Sequence, residues 1–428
     1  MSEEDRSRLE EFRQFRKEIR GSAEYLLVGI DVAKEKHHAF FGTATGKTLF
    51  KRLVFENNLE GFRKLLTQAE AMKVQSGLNR VVFGMEPTAN YHKPLGEHLI
   101  RCGHRVVLVS GVAVKENRKS LDGRWDKNDI QDAANVADLV SQGKCLFYEF
   151  PVGAISDLRN LLSLKRRFKR VEHGYRVRIR NHLLAKYFPE LDRYYDQSSS
   201  TSLAIVRWCL DPSVIAGLEY KQFVQMVGSG PRRLSQENRL QAIWKMAVDS
   251  VGCEVGPAVE VEAQMMVEGL KQIRGAMEDI EERIYEACSR FPAYEYLLSI
   301  PGFGPDVSSK VLGAIGDPFR FQNGRQVVKM AGLDLSAERS GKTSASAIPV
   351  ISKKGKADLR YALYQAALIA SVRDRHLMVY FSNRLRGRER EPGIKTKMRV
   401  KLAAKLLIIA WTLMKKKEPF NPDYLKAT

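Results

Sequence analysis

YLLVGIDVAK, residues 25–34, sets the reading of the chain. Its unbroken apolar run, rich in branched side chains, predicts a strand buried on both faces. The run ends on a carboxylate, Asp31. Downstream, HAFFGT and KTLFKRLVF read as two further strands of a hairpin-joined meander. Residues 58–75 have helical spacing, and RVVFGME (80–86) and HRVVLVS (104–110) predict two more buried strands. Strands and helices therefore alternate over residues 25–150, which implies an α/β sheet covered by helices. The densely charged residues 1–24 read as a helix or arm, and that charge excludes a signal peptide.

Four acids stand out on this frame. Asp31 ends one predicted strand and Glu86 ends another. Asp129 and Asp132, in WDKNDIQDAANVADL, lie near the start of a helix, and their i, i+3 spacing puts both on one face. Charge at the end of a buried strand is costly unless paired or bound to metal. Strand ends that point the same way form the usual ligand crevice of an open α/β sheet. Four carboxylates meeting there would hold hard divalent cations, Mg²⁺ or Mn²⁺, for phosphoryl transfer. Any one of the four alone also fits a turn or a helix cap. Asp126 falls before the helix, and Asp138 is turned away from the face that carries Asp132.

Beyond residue 150 the pattern turns helical. Leu161, Leu164, Phe168, Val171, Tyr175, Ile179 and Leu183 recur at steps of three and four. So do Val259, Ala263, Met266, Leu270, Ile273, Met277, Ile280 and Ile284. These stripes predict a coiled-coil region over 151–290, paired as an antiparallel hairpin or used for dimerisation, with an insert at 192–256. Residues 291–428 read as a helical domain. In YLLSIPGFGP, Gly302 and Gly304 fit a helix-hairpin-helix turn that lets backbone approach a phosphate, and fit equally a turn that only packs. The loop Ser340–Lys356 is rich in hydroxyls and cations. Ser340, beside Arg339 and Lys342, is a plausible nucleophile toward a phosphate, while Lys353 and Lys354 extend the basic character. The same composition suits a phosphate-binding loop without chemistry.

Charge agrees with a polyanionic partner. The 428 residues carry 70 Lys and Arg against 50 Asp and Glu, a net of +20. Arg166, Arg167, Arg170, Arg176 and Arg178 line the first long helix with only Glu172 nearby, which favours nucleic-acid contact. Five scattered cysteines signal neither zinc nor disulfides. The apolar run at 402–413 is too short to span a bilayer, so the expected location is cytoplasmic.

GIDVAK, GMEPTANYH, KNDIQDA, LLSIPGFGP and the AGL…RSGK…ISKKG series together resemble the DEDD-type insertion-sequence transposases related to the Piv-type DNA invertases, enzymes guided by a structured bridge RNA. The resemblance covers residues ~25–145 and ~291–415. It implies an RNase H-like, RuvC-type N-terminal domain, a coiled-coil linker and a C-terminal transposase domain that completes a composite site. It places the acidic tetrad on Asp31, Glu86, Asp129 and Asp132 and the serine nucleophile on Ser340. Ser336, Ser344, Ser346 and Ser352 crowd the same loop, and the third motif reads K-N-D-I-Q-D where the family more often has K-T-D-R-x-D. Implied partners are element-end and target DNA, the bridge RNA, and further copies in a homodimer or homotetramer. Two other readings remain: a hydrolytic two-metal nuclease, and a catalytically inactive nucleic-acid-binding protein.

Overall fold

The computed structural model describes residues 8–122, 129–148, 153–228, 233–336 and 350–425. It divides into two compact units: Met1–Val152 with Asp317–Lys329, and Gly153–Gly316 with Met330–Thr428.

The first unit is built on a six-stranded sheet. Its strands are β1 (Tyr25–Asp31), β2 (Lys36–Thr43), β3 (Thr48–Glu56), β4 (Arg80–Met85), β5 (Arg105–Leu108) and β6 (Leu146–Phe147), in the order β3-β2-β1-β4-β5-β6. β1, β2 and β3 form the expected antiparallel meander, and β4 and β5 continue parallel to β1. The short β6, antiparallel to β5, was not foreseen, because two residues carry no periodicity. The helices are α1 (Arg8–Ile19), α2 (Leu59–Gln75), α3 (His92–Arg101), α4 (Gly111–Asp122) and α5 (Asp129–Ser141).

Because β1 is central, six of its seven residues are buried, which is why its sequence is apolar without alternation. Leu26, Val28 and Ile30 share a core with Phe62, Leu65, Leu95 and Leu99 of α2 and α3. Leu27 shares the opposite core with Val136, Ala137 and Val140 of α5 and with Phe15 and Ile19 of α1. The N-terminal segment is thus more than a charged arm: one face of α1 is buried, and Phe15 meets Tyr25 and Phe147 edge-on or tilted.

The second unit is helical apart from a two-stranded ribbon. Its first helices are α6 (Ala154–Arg178), α7 (Ala185–Tyr187), α8 (Ser200–Trp208), α9 (Pro212–Ala216), α10 (Tyr220–Val227), α11 (Leu234–Ala247) and α12 (Pro257–Ser289). α13 (Ala293–Leu298), α14 (Pro305–Ile315) and α15 (Gly324–Ala331) follow, the last beginning in the segment grouped with the first unit. β7 (Leu335–Ser336) pairs antiparallel with β8 (Val350–Ile351), and α16 (Ala357–Arg373), α17 (Arg375–Leu385) and α18 (Ile394–Lys416) complete the unit.

The two apolar stripes pair within one chain, and the pair is antiparallel. Tyr175 lies against Gly269, Glu172 meets Arg274 at 3.4 Å, and Lys165 meets Glu281 at 2.9 Å. The region between the stripes has its own helices, α8 to α11, and Leu203, Val206, Phe223 and Ile243 share one core with Ile179, Leu183, Ala263 and Leu270 of the stripes. Among the described residues, no helix is long and apolar enough to cross a membrane.

Candidate active site and nucleic-acid surface

The register of β1 and β4 brings the first two acids side by side. Gly29 is opposite Gly84 and Ile30 opposite Met85, so Asp31 and Glu86 follow at the same ends of neighbouring parallel strands. Side chains alternate along a strand. Both acids therefore share the face of Gly29 and Gly84, two residues earlier, and that face is the one α5 covers.

The glycines explain how close α5 comes. A Cβ on Gly29 would lie 2.1 Å from the Ala133 carbonyl oxygen and 2.6 Å from the Ala137 nitrogen. On Gly84 it would lie 2.6 Å from a Val140 methyl. The paired glycines cut a notch in the sheet, and the helix backbone fills it. The C-terminal end of α5 is fixed near the start of β1, where Arg20 Nε donates to the Gln142 carbonyl at 3.0 Å. Its N-terminal end, carrying Asp129 and Asp132, accordingly points toward the strand ends that carry Asp31 and Glu86.

Asp132 is buried, with 6% of its side chain exposed, and its carboxylate faces Arg118 of α4, Nη2 to Oδ1 2.5 Å. This contact lacks direction. Oδ1 accepts no hydrogen bond of proper geometry, and the buried Nε of Arg118 has no acceptor among the described residues. Glu86 lies over the first residue of α4: a Cβ on Gly111 would be 2.6 Å from its Oε1. Asp31 and Glu86 both have interactions within the fold. Asp129 is the first residue of α5, and its side chain lies outside the described residues. Among the described residues, no three acids, histidines or cysteines gather in metal-ligand geometry. Asp138, expected on a different face from Asp132, also meets α4, accepting from Asn117 and from Gln142 at 2.7 Å each.

In the second unit the basic helix α6 differs from its sequence reading. Acids do balance much of it, but they come from distant elements. Lys165 reaches Asp306 at 2.8 Å, Arg166 reaches Asp358 at 3.2 Å, and Arg180 makes two hydrogen bonds to Asp192. Arg176, expected to contact nucleic acid, is half-buried against Glu172 and Gln197. Arg167, Arg170 and Arg178 stay exposed with no ion pair among the described residues, as do Lys353 and Lys354 beyond β8. A cleft of about 570 Å³ lined by Lys165, Arg166, Lys169, Lys310 and Lys356, with Asp306 and Asp358, continues this surface. Burial pushes the Asp306 carboxyl up, but hydrogen bonds from Lys165 and Lys310 outweigh it and hold the group below the usual range.

Gly302 and Gly304 divide their work. Gly302 has φ +86°, and its missing Cβ admits the Ala366 carbonyl of α16 at 2.5 Å, so this glycine serves helix packing. Gly304 borders open space. Ser340, Arg339 and Lys342 lie outside the described residues, as do Ser344 and Ser346 and the side chain of Ser336. Ser352 is described, and its hydroxyl donates to Asp334 at 2.5 Å.

The chain matches two family models. One is a transposase model of the DEDD type, IS110, over residues 28–189; the other is the Transposase IS116/IS110/IS902 family, over residues 294–382. The insertion element IS116 44.8 kDa protein of Streptomyces clavuligerus is 23% identical over 402 residues, 92% of this chain and 96% of that protein. The pilin gene-inverting protein of Moraxella bovis is 22% identical over 394 residues, 92% of this chain and 97% of its own length. The insertion element IS900 42 kDa protein of Mycobacterium paratuberculosis is 21% identical over 417 residues, 94% and 98% of the two chains. The DEDD transposase domain is RNase H-like, in agreement with the mixed sheet and its covering helices.

Proposed function

Because the chain belongs to the DEDD-type transposase family of the insertion elements IS110 and IS116, and is therefore a DNA transposase or recombinase, we propose that its four acids form a divalent-metal site serving a serine-based exchange of DNA strands. The observation that carries this reading is the glycine notch, which turns the helix-borne acids toward the strand ends of Asp31 and Glu86.

Asp31, Glu86, Asp129 and Asp132 would hold the cation. The donor set is all oxygen, which suits Mg²⁺ or Mn²⁺, and the buried Asp132 Oδ1 lacks a directed partner. A bound divalent ion would neutralise charge on a phosphate under attack. Ser340 supplies the nucleophile. Its Oγ forms a bond to phosphorus while one P–O bond to a deoxyribose breaks, and the hydroxyl proton ends on the released sugar oxygen. The count of phosphoester bonds is unchanged, so rejoining needs no outside energy.

The remaining parts hold nucleic acid. Arg167, Arg170, Arg178, Lys353 and Lys354 are exposed cations suited to phosphate backbones, and the net charge of +20 favours both element DNA and a structured bridge RNA. The antiparallel α6–α12 pair serves as a coiled-coil arm, and the turn at Gly304 as a helix-hairpin-helix contact. Assembly as a dimer or tetramer in a prokaryotic cytoplasm completes the reading.

The test is a trapped reaction with protein, flanking non-coding RNA, element-end DNA and Mg²⁺. A denaturation-resistant protein–DNA adduct is expected, absent in Ser340→Ala and in Asp129→Asn but retained in Ser352→Ala. Cleavage with no adduct, persisting in Ser340→Ala, would identify a hydrolytic nuclease instead.

A further inference from the structure

We propose that Arg118 is a built-in competitor of the divalent ion: its guanidinium and the metal claim the same Asp132 oxygen, so Arg118 sets how tightly the site loads. The proposal rests on the reading that Asp132 is a metal ligand.

Burial sets this ion pair apart. Exposed arginine–carboxylate pairs are either forked, as when Arg180 reaches Asp192 at 2.6 and 3.0 Å and Arg388 reaches Glu391 at 2.8 and 2.7 Å, or single, as between Arg166 and Asp358. Such forked pairs gain from two aligned hydrogen bonds. The Arg118–Asp132 pair is more buried, with 26% and 6% of the side chains exposed, yet it has a single close approach of 2.5 Å. Asp132 Oδ1 receives no aligned N–H, and Arg118 Nε stays buried without an acceptor among the described residues. The guanidinium therefore supplies charge to a buried carboxylate without binding it in a directed way. An oxygen whose charge is balanced but whose lone pairs are not engaged is a good ligand for a small hard cation.

The helices themselves are not free to separate. Asn117, next to Arg118, donates to Asn135 Oδ1 at 2.6 Å and to Asp138 Oδ2 at 2.7 Å, and Asn135 Nδ2 donates to the Val114 carbonyl at 2.8 Å. These bonds clamp α4 to α5 on the N-terminal side of the arginine. Exchange between guanidinium and metal is thereby confined to a swing of one long side chain, a fast and reversible motion. Two cations drawn to the same oxygen repel each other, so each lowers the other's apparent affinity.

The experiment is a calorimetric titration of Mn²⁺ into the full chain, with thermal melting in chelator and in excess Mn²⁺. Arg118→Ala is expected to bind Mn²⁺ about tenfold more tightly, the scale on which neighbours of metal ligands act. It should melt lower than the unaltered chain in chelator and recover in Mn²⁺. Arg118→Gln, which keeps more of the packing, should show the same tightening and guards against a folding failure of the alanine variant. Unchanged or weaker Mn²⁺ binding in both variants, with binding lost in Asp132→Asn, would overturn the competition while leaving the metal site intact. Full binding in Asp132→Asn would instead remove the metal reading, and the proposal with it.

Discussion

The two units handle charge in opposite ways. The first buries it: Asp132 sits under α4, on a helix whose backbone fills a notch between two strands. The second displays it: Arg167, Arg170 and Arg178 stand exposed on α6. A buried carboxylate is expensive and earns its place only where position matters. An exposed arginine is cheap, tolerates loose geometry, and suits a backbone of repeated phosphates. On the proposed reading, the first unit's acids hold the metal, while the second unit supplies the serine and its surface supplies the grip.

Gly29→Ala is the hardest blow to this division. The new Cβ would collide with the backbone of α5 rather than with a yielding side chain tip. A loss of about 3 kcal/mol is expected in denaturant melts, with strand cleavage falling alongside. A variant as stable as the parent would mean that the notch does not seat the helix. Gly111→Ala is gentler. Its Cβ would meet only the end of the Glu86 side chain, so stability should change by less than about 0.5 kcal/mol while Mn²⁺ affinity drops several-fold. Unaltered affinity would show that Glu86 has room to spare.

Proton dependence separates the units. His37 is fully buried between Phe55 and Phe62, and its Nδ1 accepts from the Ala33 N–H at 3.2 Å. Burial lowers its proton affinity, against a smaller opposing influence of the Asn57 side chain. The unfolded chain then binds a proton more readily than the folded one. Stability from His37 is complete above its ordinary value of 6.5 and is lost as pH falls through that value toward the depressed one. The slope is at most about 1.4 kcal/mol per pH unit for this group. Asp306 behaves oppositely in range: its carboxyl is held below its ordinary value of 3.8, so its contribution persists until strongly acid pH. Hydrogen exchange, corrected for intrinsic rates, should show β2 losing protection between pH 7.5 and 5.5 while α14 keeps it. Equal losses in both would contradict the assignment to His37.

How much of this was legible depended on distance along the chain. β1, β2, β3, β4 and β5 were readable because each carries its own apolar run, and Asp31 and Glu86 because they close such runs. The two long stripes were legible from their spacing, which left open whether they pair within one chain or between copies. Signals that need a partner far away were hidden. The acid for Arg166 is 192 residues distant and the one for Lys165 is 141 distant, so α6 looked uncompensated. Arg118 was one of two neighbouring cations in ENRKS, and nothing local marks it as facing Asp132. α1 hid two core residues, Phe15 and Ile19, among charges that dominate its composition. Gly302 read as a phosphate approach because a glycine's reason is invisible until its neighbour, here Ala366, is known.

The most direct test of the division measures single-turnover strand cleavage against DNA concentration for two variants. One is Asp132→Asn; the other replaces Arg167, Arg170 and Arg178 with alanine together. The account predicts that Asp132→Asn lowers the maximal rate by at least about 10²-fold with half-saturation unchanged. The triple variant should raise the half-saturating DNA concentration about tenfold or more and keep most of the maximal rate. A triple variant that loses its maximal rate, or an Asp132→Asn chain that only binds more weakly, would contradict it.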